Sequence, residues 1–212
     1  MLIPREFYER DTLTVARDLL GMVICRRTDE GYTSGIITEC EAYMGEADPA
    51  AHSYKGKRDR VRIQYGAKGH AYVYLIYGMH HCFNITTGGA GMPESVLIRA
   101  IKPLDGIELM EERRGMKNRE RIISEADGRG NNVKKRKRSA EPRLSALADG
   151  PGKLCKALNI TMDHYGCDLT DPKSGLWLEL GETPKNIITT PRIGIDYAGE
   201  AATWPWRFVI DE

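Results

Sequence analysis

The run His70-Ala71-Tyr72-Val73-Tyr74-Leu75-Ile76-Tyr77-Gly78-Met79 restricts the fold of this chain more than any other stretch. Aromatic and β-branched residues dominate it, the composition favoured by a pleated, half-buried strand. Gly78 offers a turn, and His81-Cys82-Phe83-Asn84-Ile85-Thr86 returns antiparallel, so the segment reads as a hairpin with Tyr77 near its tip. A tyrosine at such a tip is either a wedge held out to a partner or a ring folded back over the core.

A second strand carries the chemistry-bearing residues. Ile36-Ile37-Thr38 runs into Glu39-Cys40-Glu41-Ala42-Tyr43-Met44-Gly45. Strict alternation puts Ile37, Glu39, Glu41 and Tyr43 on one side, which turns from apolar to acidic to aromatic near the strand end. That side suits a site that grips a flat polar ring and attacks beside it; it also suits a solvated face with a flanking tyrosine. Ser95 to Ile101 is another apolar strand with Arg99 inside it, and an arginine so placed should meet a carboxylate or a phosphate. Met22 to Arg26, Leu176 to Leu180, Ile187 to Thr190 and Arg207 to Ile210 complete the strands, with Gly31 in a turn.

Three helices are expected. Asp11 caps one that presents Leu13, Ala16, Leu19 and Leu20 and stops at Gly21. Asp105 starts a second, through Ile107 and Met110 to Arg114. Asp149-Gly150-Pro151-Gly152-Lys153 opens a third, whose free N–H groups and Lys153 could hold an anion such as a backbone phosphate. Strands and helices do not alternate regularly. The expectation is therefore an α+β fold: one compact domain over residues 1–212, with a mainly antiparallel, curved sheet and flanking helices.

A chain of 212 residues with 41% hydrophobic and 29% charged residues is an ordinary globular composition. The N-terminus has no apolar run of signal-peptide length and nothing later spans a membrane, so an intracellular protein is expected; a monomer is expected as well. Five cysteines without a CxxC spacing read as reduced thiols. His80-His81-Cys82 does not read as zinc ligation, because neighbours on a strand face opposite ways and no second cluster has metal spacing.

The net charge of +1 conceals an uneven distribution. Residues 54–70 hold Lys55, Lys57, Arg58, Arg60, Arg62 and Lys68 against Asp59, a balance of +5. Residues 113–143 hold twelve Lys and Arg against four acids, a balance of +8, so the remainder carries −12. Two basic segments on an acidic body can bind a polyanion while the whole stays near neutral. Residues 115–145, including Lys134-Lys135-Arg136-Lys137-Arg138, read as a flexible basic insertion. The polar stretch Gly45 to Gly69 reads as a long loop without obvious structure, carrying Ala50-Ala51-His52-Ser53.

With these pieces in place, the chain resembles the alkyladenine (methylpurine) DNA glycosylases over nearly its whole length. The resemblance is carried by Ala16-Arg17-Asp18-Leu19-Leu20-Gly21, Glu39 to Tyr43, Ala50 to Ser53, Tyr72 to Met79, Asn84-Ile85, Val96 to Ala100, Gly150 to Leu154 and Arg192-Ile193-Gly194-Ile195-Asp196-Tyr197-Ala198-Gly199. It departs at Arg60-Val61-Arg62-Ile63-Gln64-Tyr65, where the family more often ends in methionine-phenylalanine, and in the basic segment before Gly150.

The resemblance implies a monofunctional enzyme without metal or organic cofactor, acting on double-stranded DNA that contains alkylated or deaminated purines. It implies that Glu41 is the general base for a water directed at C1′ and that Arg99 orients that water. Tyr43, His52 and Tyr74 would enclose the flipped base, and Asn84 would crowd the 2-amino group of guanine. Tyr77 would enter the vacated stack, with Arg60 and Lys153 on the backbone. Two other classes fit parts of the chain: a sugar hydrolase using Glu39 and Glu41 as its pair, and a non-catalytic nucleic-acid binder needing the basic and aromatic residues alone.

Overall fold

The computed structural model describes residues 1–116, 144 and 146–211. The proposed basic insertion, with Lys134 to Arg138, lies outside the described residues almost entirely. Its helices are α1 (Arg5–Tyr8), α2 (Thr12–Leu19), α3 (Ile107–Arg113) and α4 (Pro151–Ala157). Its strands are β1 (Val23–Thr28), β2 (Gly31–Tyr43), β3 (Ala71–Ile76), β4 (His80–Thr87), β5 (Glu94–Asp105), β6 (Leu176–Glu179), β7 (Ile187–Thr190) and β8 (Arg207–Ile210).

All eight strands belong to one antiparallel sheet in the order β3-β4-β5-β2-β1-β6, with β7 and β8 added beside β2. The 13-residue β2 is long enough to take two neighbours in succession along one edge. Its first half pairs with β1, and Glu39 to Glu41 pair with β8, while β5 follows the other edge. The stretch Glu39-Cys40-Glu41 is thus hydrogen-bonded from both sides, which makes it a rigid base for side chains.

The ladder between β2 and β5 corrects the expected strand face. Two residues of β2 oppose one of β5 between Ile37 and Glu39, and the mismatch reverses between Glu39 and Cys40. This bulge changes the phase of the alternation. Ile37 consequently does not share a side with Glu39, Glu41 and Tyr43; it packs in the core with Cys40 and Ala42.

Helix α2 covers that apolar side. Asp11 accepts from the Thr14 N–H as its cap, and Val15, Ala16 and Leu19 are buried, with the Cys40 thiol donating to the Ala16 carbonyl at 3.0 Å. Leu13 is only partly buried, since Val15 rather than Leu13 completes the inward stripe. Helix α4 packs its Leu154, Cys155 and Ala157 into the same core.

Three boundaries differ from expectation. Asp105 ends β5, accepting from Ser34 Oγ at 2.6 Å, and Gly106, at φ +68°, is the residue that caps α3. Gly31 opens β2 instead of sitting in the turn. Residues 45–69 are organised by 3-10 turns at Gly45–Ala47 and Asp59–Tyr65. Within that stretch Lys68 is buried and donates to the Gln64 carbonyl at 2.8 Å, so it anchors the loop and leaves the basic surface one charge poorer. Among the described residues no helix is long and apolar enough to cross a membrane.

Candidate active site

The outward side of the β2 end carries two carboxylates with opposite environments. Glu39 Oε1 accepts from Arg99 Nε at 2.6 Å and from Arg207 Nε at 2.7 Å. Burial alone would push its carboxyl up, but the bonds and charges of Arg207 and Arg99 outweigh it and hold the group below its usual range. Glu41 is completely buried. Its Oε1 accepts from the Ile193 backbone N–H at 2.8 Å and lies 3.3 Å from Arg99 Nη1, while its Oε2 accepts from the Tyr43 hydroxyl at 2.9 Å. Here burial prevails over Arg99, the Ile193 amide and Tyr43, and the carboxyl is pushed up.

Glu39 gives its Oε1 to two guanidinium groups and does not line the cavity beside Glu41, so it is not placed as the second carboxylate that a sugar hydrolase needs beside its substrate. Arg99, which the sequence required to meet a carboxylate or phosphate, meets both carboxylates.

Glu41 lies behind the wall of a cavity of about 390 Å³, within the range of small-ligand pockets. Three of its partners, Tyr43, Arg99 and Ile193, line that cavity. So do His52, Tyr74, Asn84, Tyr77 and Arg60, so that all the expected pocket residues meet at one place. His52 and Tyr74 stand edge-to-face with centroids 4.5 Å apart, and His52 Nδ1 lies 2.8 Å from the Tyr72 hydroxyl. Burial first, then the charges of Arg60 and Arg58, push His52 down to about 4, so this wall is neutral near pH 7. Arg60 sits over the Tyr74 ring at 5.1 Å, and Arg58 donates to the His52 carbonyl at 2.6 Å. Asn84 is opposite Tyr72 in the ladder and donates to its carbonyl at 3.1 Å, which fixes the amide in the pocket wall.

At the mouth, Tyr77 is 84% exposed, so it does not fold back over the core. Tyr77 and Gly78 have φ of +52° and +67°, and Met79 N–H bonds to the Ile76 carbonyl at 3.2 Å. Positive φ at both central residues is the mark of a type I′ turn, whose twist matches the flanking strands. Gly78 adopts it freely; Tyr77 does so against its own preference, and such an outlier points to function. Lys153 is not a free cation, because Asp149 pairs with it at 2.6 Å. Among the described residues no group of three or more His, Cys, Asp or Glu side chains could hold a metal ion.

The structure adds residues to which the sequence reading gave no role. Arg192 and Asp48 form a fully buried ion pair, with Arg192 Nη2 2.9 Å from Asp48 Oδ1. Arg192 lies 4.7 Å from the Tyr43 ring centroid and 5.0 Å from that of Trp206, and it donates to the Ala42 carbonyl at 2.9 Å. Asp48 also accepts from the Met44 and Ala50 amides. One charge pair therefore fixes the back of Tyr43, the loop leading to His52, and the Ile193 amide that bonds Glu41. Tyr72, Gln64 and Tyr197 also line the cavity. Tyr72 was within reach of the sequence, since it shares a strand face with Tyr74.

The family model of methylpurine-DNA glycosylases matches residues 6–212. The chain belongs to that family. It is 45% identical over 100% of its length to a Bacillus mycoides protein, of which 97% is covered, and 46% identical over 98% to one from Bacillus thuringiensis, of which 95% is covered. Both are named "Putative 3-methyladenine DNA glycosylase". A member of this family is an enzyme of DNA repair, a glycosylase that acts on alkylated bases, and DNA is its substrate.

Proposed function

We propose that this glycosylase takes a damaged purine out of duplex DNA into the aromatic cavity and hydrolyses its glycosidic bond with a water activated by Glu41. The observation that supports this most is the state of Glu41: a buried carboxylate whose three partners, Tyr43, Arg99 and Ile193, form the wall behind which it lies. The glycosidic bond is inaccessible in the stack, so the nucleotide must rotate out, at a cost of a few kcal/mol. Tyr77 enters the gap and restores stacking on the bases left behind.

The flipped purine lies against Tyr43 on one side and His52 with Tyr74 on the other. Purines methylated at N3 or N7 are cationic, and aromatic faces favour a cation. Neutral His52 adds no repulsion. Arg99 holds the water beside Glu41, which takes its proton and stabilises the positive charge that develops on the sugar. Alkylation has already made the base a good leaving group, so one base catalyst suffices and the product is an abasic site. Arg60 contacts the DNA backbone beside the cavity, and Lys153 does so once its pairing with Asp149 is exchanged for a phosphate.

Incubating the protein with methylated duplex DNA and assaying free base and abasic sites tests this reading. Release of 3-methyladenine with intact, alkali-labile strands is expected. Strand cleavage without alkali, or no base release, would contradict it.

A further inference from the structure

Arg99 is aimed by a residue that the proposed mechanism does not use. On β5, Ile98 is opposite Cys40 and Ala100 opposite Glu39, so Arg99 is the extra residue of a bulge, without a partner in the ladder to β2. A bulge re-aims the side chain of its extra residue, whose direction then depends on what that side chain meets. Arg99 meets Glu39 first. Its Nε donates to Glu39 Oε1 at 2.6 Å, while its Nη1 is 3.3 Å from Glu41 Oε1. The guanidinium is planar and rigid, so anchoring Nε restricts where its two Nη groups point. Both side chains are largely shielded, at 14% exposure for Arg99 and 18% for Glu39, unlike the solvated pairs that contribute little. The same Glu39 oxygen accepts from Arg207 Nε at 2.7 Å, and Arg207 Nη1 donates to Thr190 Oγ1 at 2.8 Å. Arg207 therefore ties Glu39 to β8 and β7, and it does not line the cavity.

We propose that Glu39 is a positioning residue for base excision, holding the bulged Arg99 so that its guanidinium faces Glu41 and the water there. This rests on the proposed roles of Glu41 and Arg99. Without the anchor, the guanidinium is free to close on Glu41 as a bidentate pair, the geometry that arginine and a carboxylate favour. A carboxylate held in that way is a poorer base, since a nearby opposite charge stabilises its ionised form. Anchored by Nε to Glu39, Arg99 keeps a looser contact with Glu41 and retains donors for the water. A small displacement of an orienting group costs rate even when it lies away from the bond that breaks. A network of this kind could instead serve only to brace β5, β2 and β8, and the two roles differ in what they do to rate.

The test measures single-turnover release of 3-methyladenine, affinity for the damaged duplex and thermal melting. It compares wild type with Glu39→Gln, Arg207→Met, Arg99→Met and the double variant Glu39→Gln/Arg99→Met. The amide keeps the shape of Glu39 and replaces a charged acceptor by a neutral one. Release by Glu39→Gln should fall about 5- to 12-fold, the difference between a charged and a neutral hydrogen bond, with affinity for the duplex unchanged. In the Arg99→Met background the same change should cost no further rate, because residues that act as a unit are not additive. Arg207→Met unties Glu39 from β8 and β7 but leaves Arg99 on Glu39, so it should lower the melting temperature without the loss of rate. Equal rate losses in Glu39→Gln and Arg207→Met, a full further loss in the double variant, or unchanged release by Glu39→Gln would each overturn the proposal. The comparison of Glu39→Gln with Arg207→Met decides even where Arg99→Met does not fold. If wild type itself releases no 3-methyladenine, the reading of the cavity fails instead, so the two failures are distinguishable.

Discussion

The floor of the cavity and the tip of the hairpin are organised in opposite ways. At the floor, Glu41 is buried and both its oxygens are bonded, on a strand segment paired from both sides. At the tip, Tyr77 is 84% exposed in a left-handed conformation, and a Cβ added at the neighbouring Gly78 would meet nothing within 4 Å. The floor holds a carboxyl in a fixed, buried setting that pushes its titration up. The tip leaves most of the Tyr77 ring open to a partner. On the proposed reading, rigid bonding is concentrated at the carboxylate that acts on the glycosidic bond, and exposed aromatic surface at the residue that enters the duplex.

The largest expected effect lies at the floor. Glu41→Gln keeps shape and hydrogen bonding but cannot accept the water's proton, so single-turnover excision should fall by about 10²- to 10⁴-fold, the usual contribution of a general base, with binding to damaged duplex retained. Because the Glu41 carboxyl is raised, the acid limb of the wild-type rate profile should lie above the ordinary carboxylate range. Glu39→Gln is the control. It frees Arg99 and Arg207 of one partner but removes no proton acceptor from the cavity, and a larger loss there would move the base to Glu39.

Tyr77→Ala probes the tip. Base–aromatic stacking is worth about 1–3 kcal/mol by alanine substitution, so the flipping equilibrium should fall about 5- to 150-fold for every lesion alike, as read with a fluorescent base analogue. A change in which base is excised, with flipping intact, would make the tip part of the pocket and erase the contrast.

Asn84→Ser separates the wall from both. Flipping should be nearly unaffected, while removal of the amide makes room for a purine 2-amino group and admits guanine-type bases to excision. Equal loss for all lesions would mean that the Asn84–Tyr72 bond serves only to hold the hairpin together.

How far the molecule was legible in its sequence follows the same division. Side chains that repeat along one strand, such as Glu39, Glu41 and Tyr43 or Tyr72 and Tyr74, were readable because alternation is local. The bulge that sends Ile37 to the core depends on β5, more than 60 residues away, through the pairing of Ile37 with Ile101. The Asp48–Arg192 pair joins positions 144 residues apart, and nothing near either residue announces the other. That Arg99 must meet an anion was readable from its apolar strand; the bulge that turns it toward Glu39 needed the fold.

The smallest effect concerns His52 and the charge of the cavity wall. Its folded value of about 4 lies below the ordinary 6.5, the result of burial and of the Arg60 and Arg58 charges. Between those values the unfolded chain binds a proton that the folded chain does not, so stability rises with pH across the window. The contribution is fully present above 6.5 and is lost as pH falls toward about 4. Glu41 acts with the opposite sign: its raised carboxyl keeps a proton in the fold that the unfolded chain has released, so its contribution declines as pH rises through its own window. Denaturant unfolding at a series of pH values should show a slope between pH 4 and 6.5 that is shallower in His52→Gln than in wild type, by at most one proton. An identical slope would mean that His52 is already protonated in the folded protein. An imidazolium against a cationic purine would repel it, and the wall would then favour neutral lesions over alkylated ones.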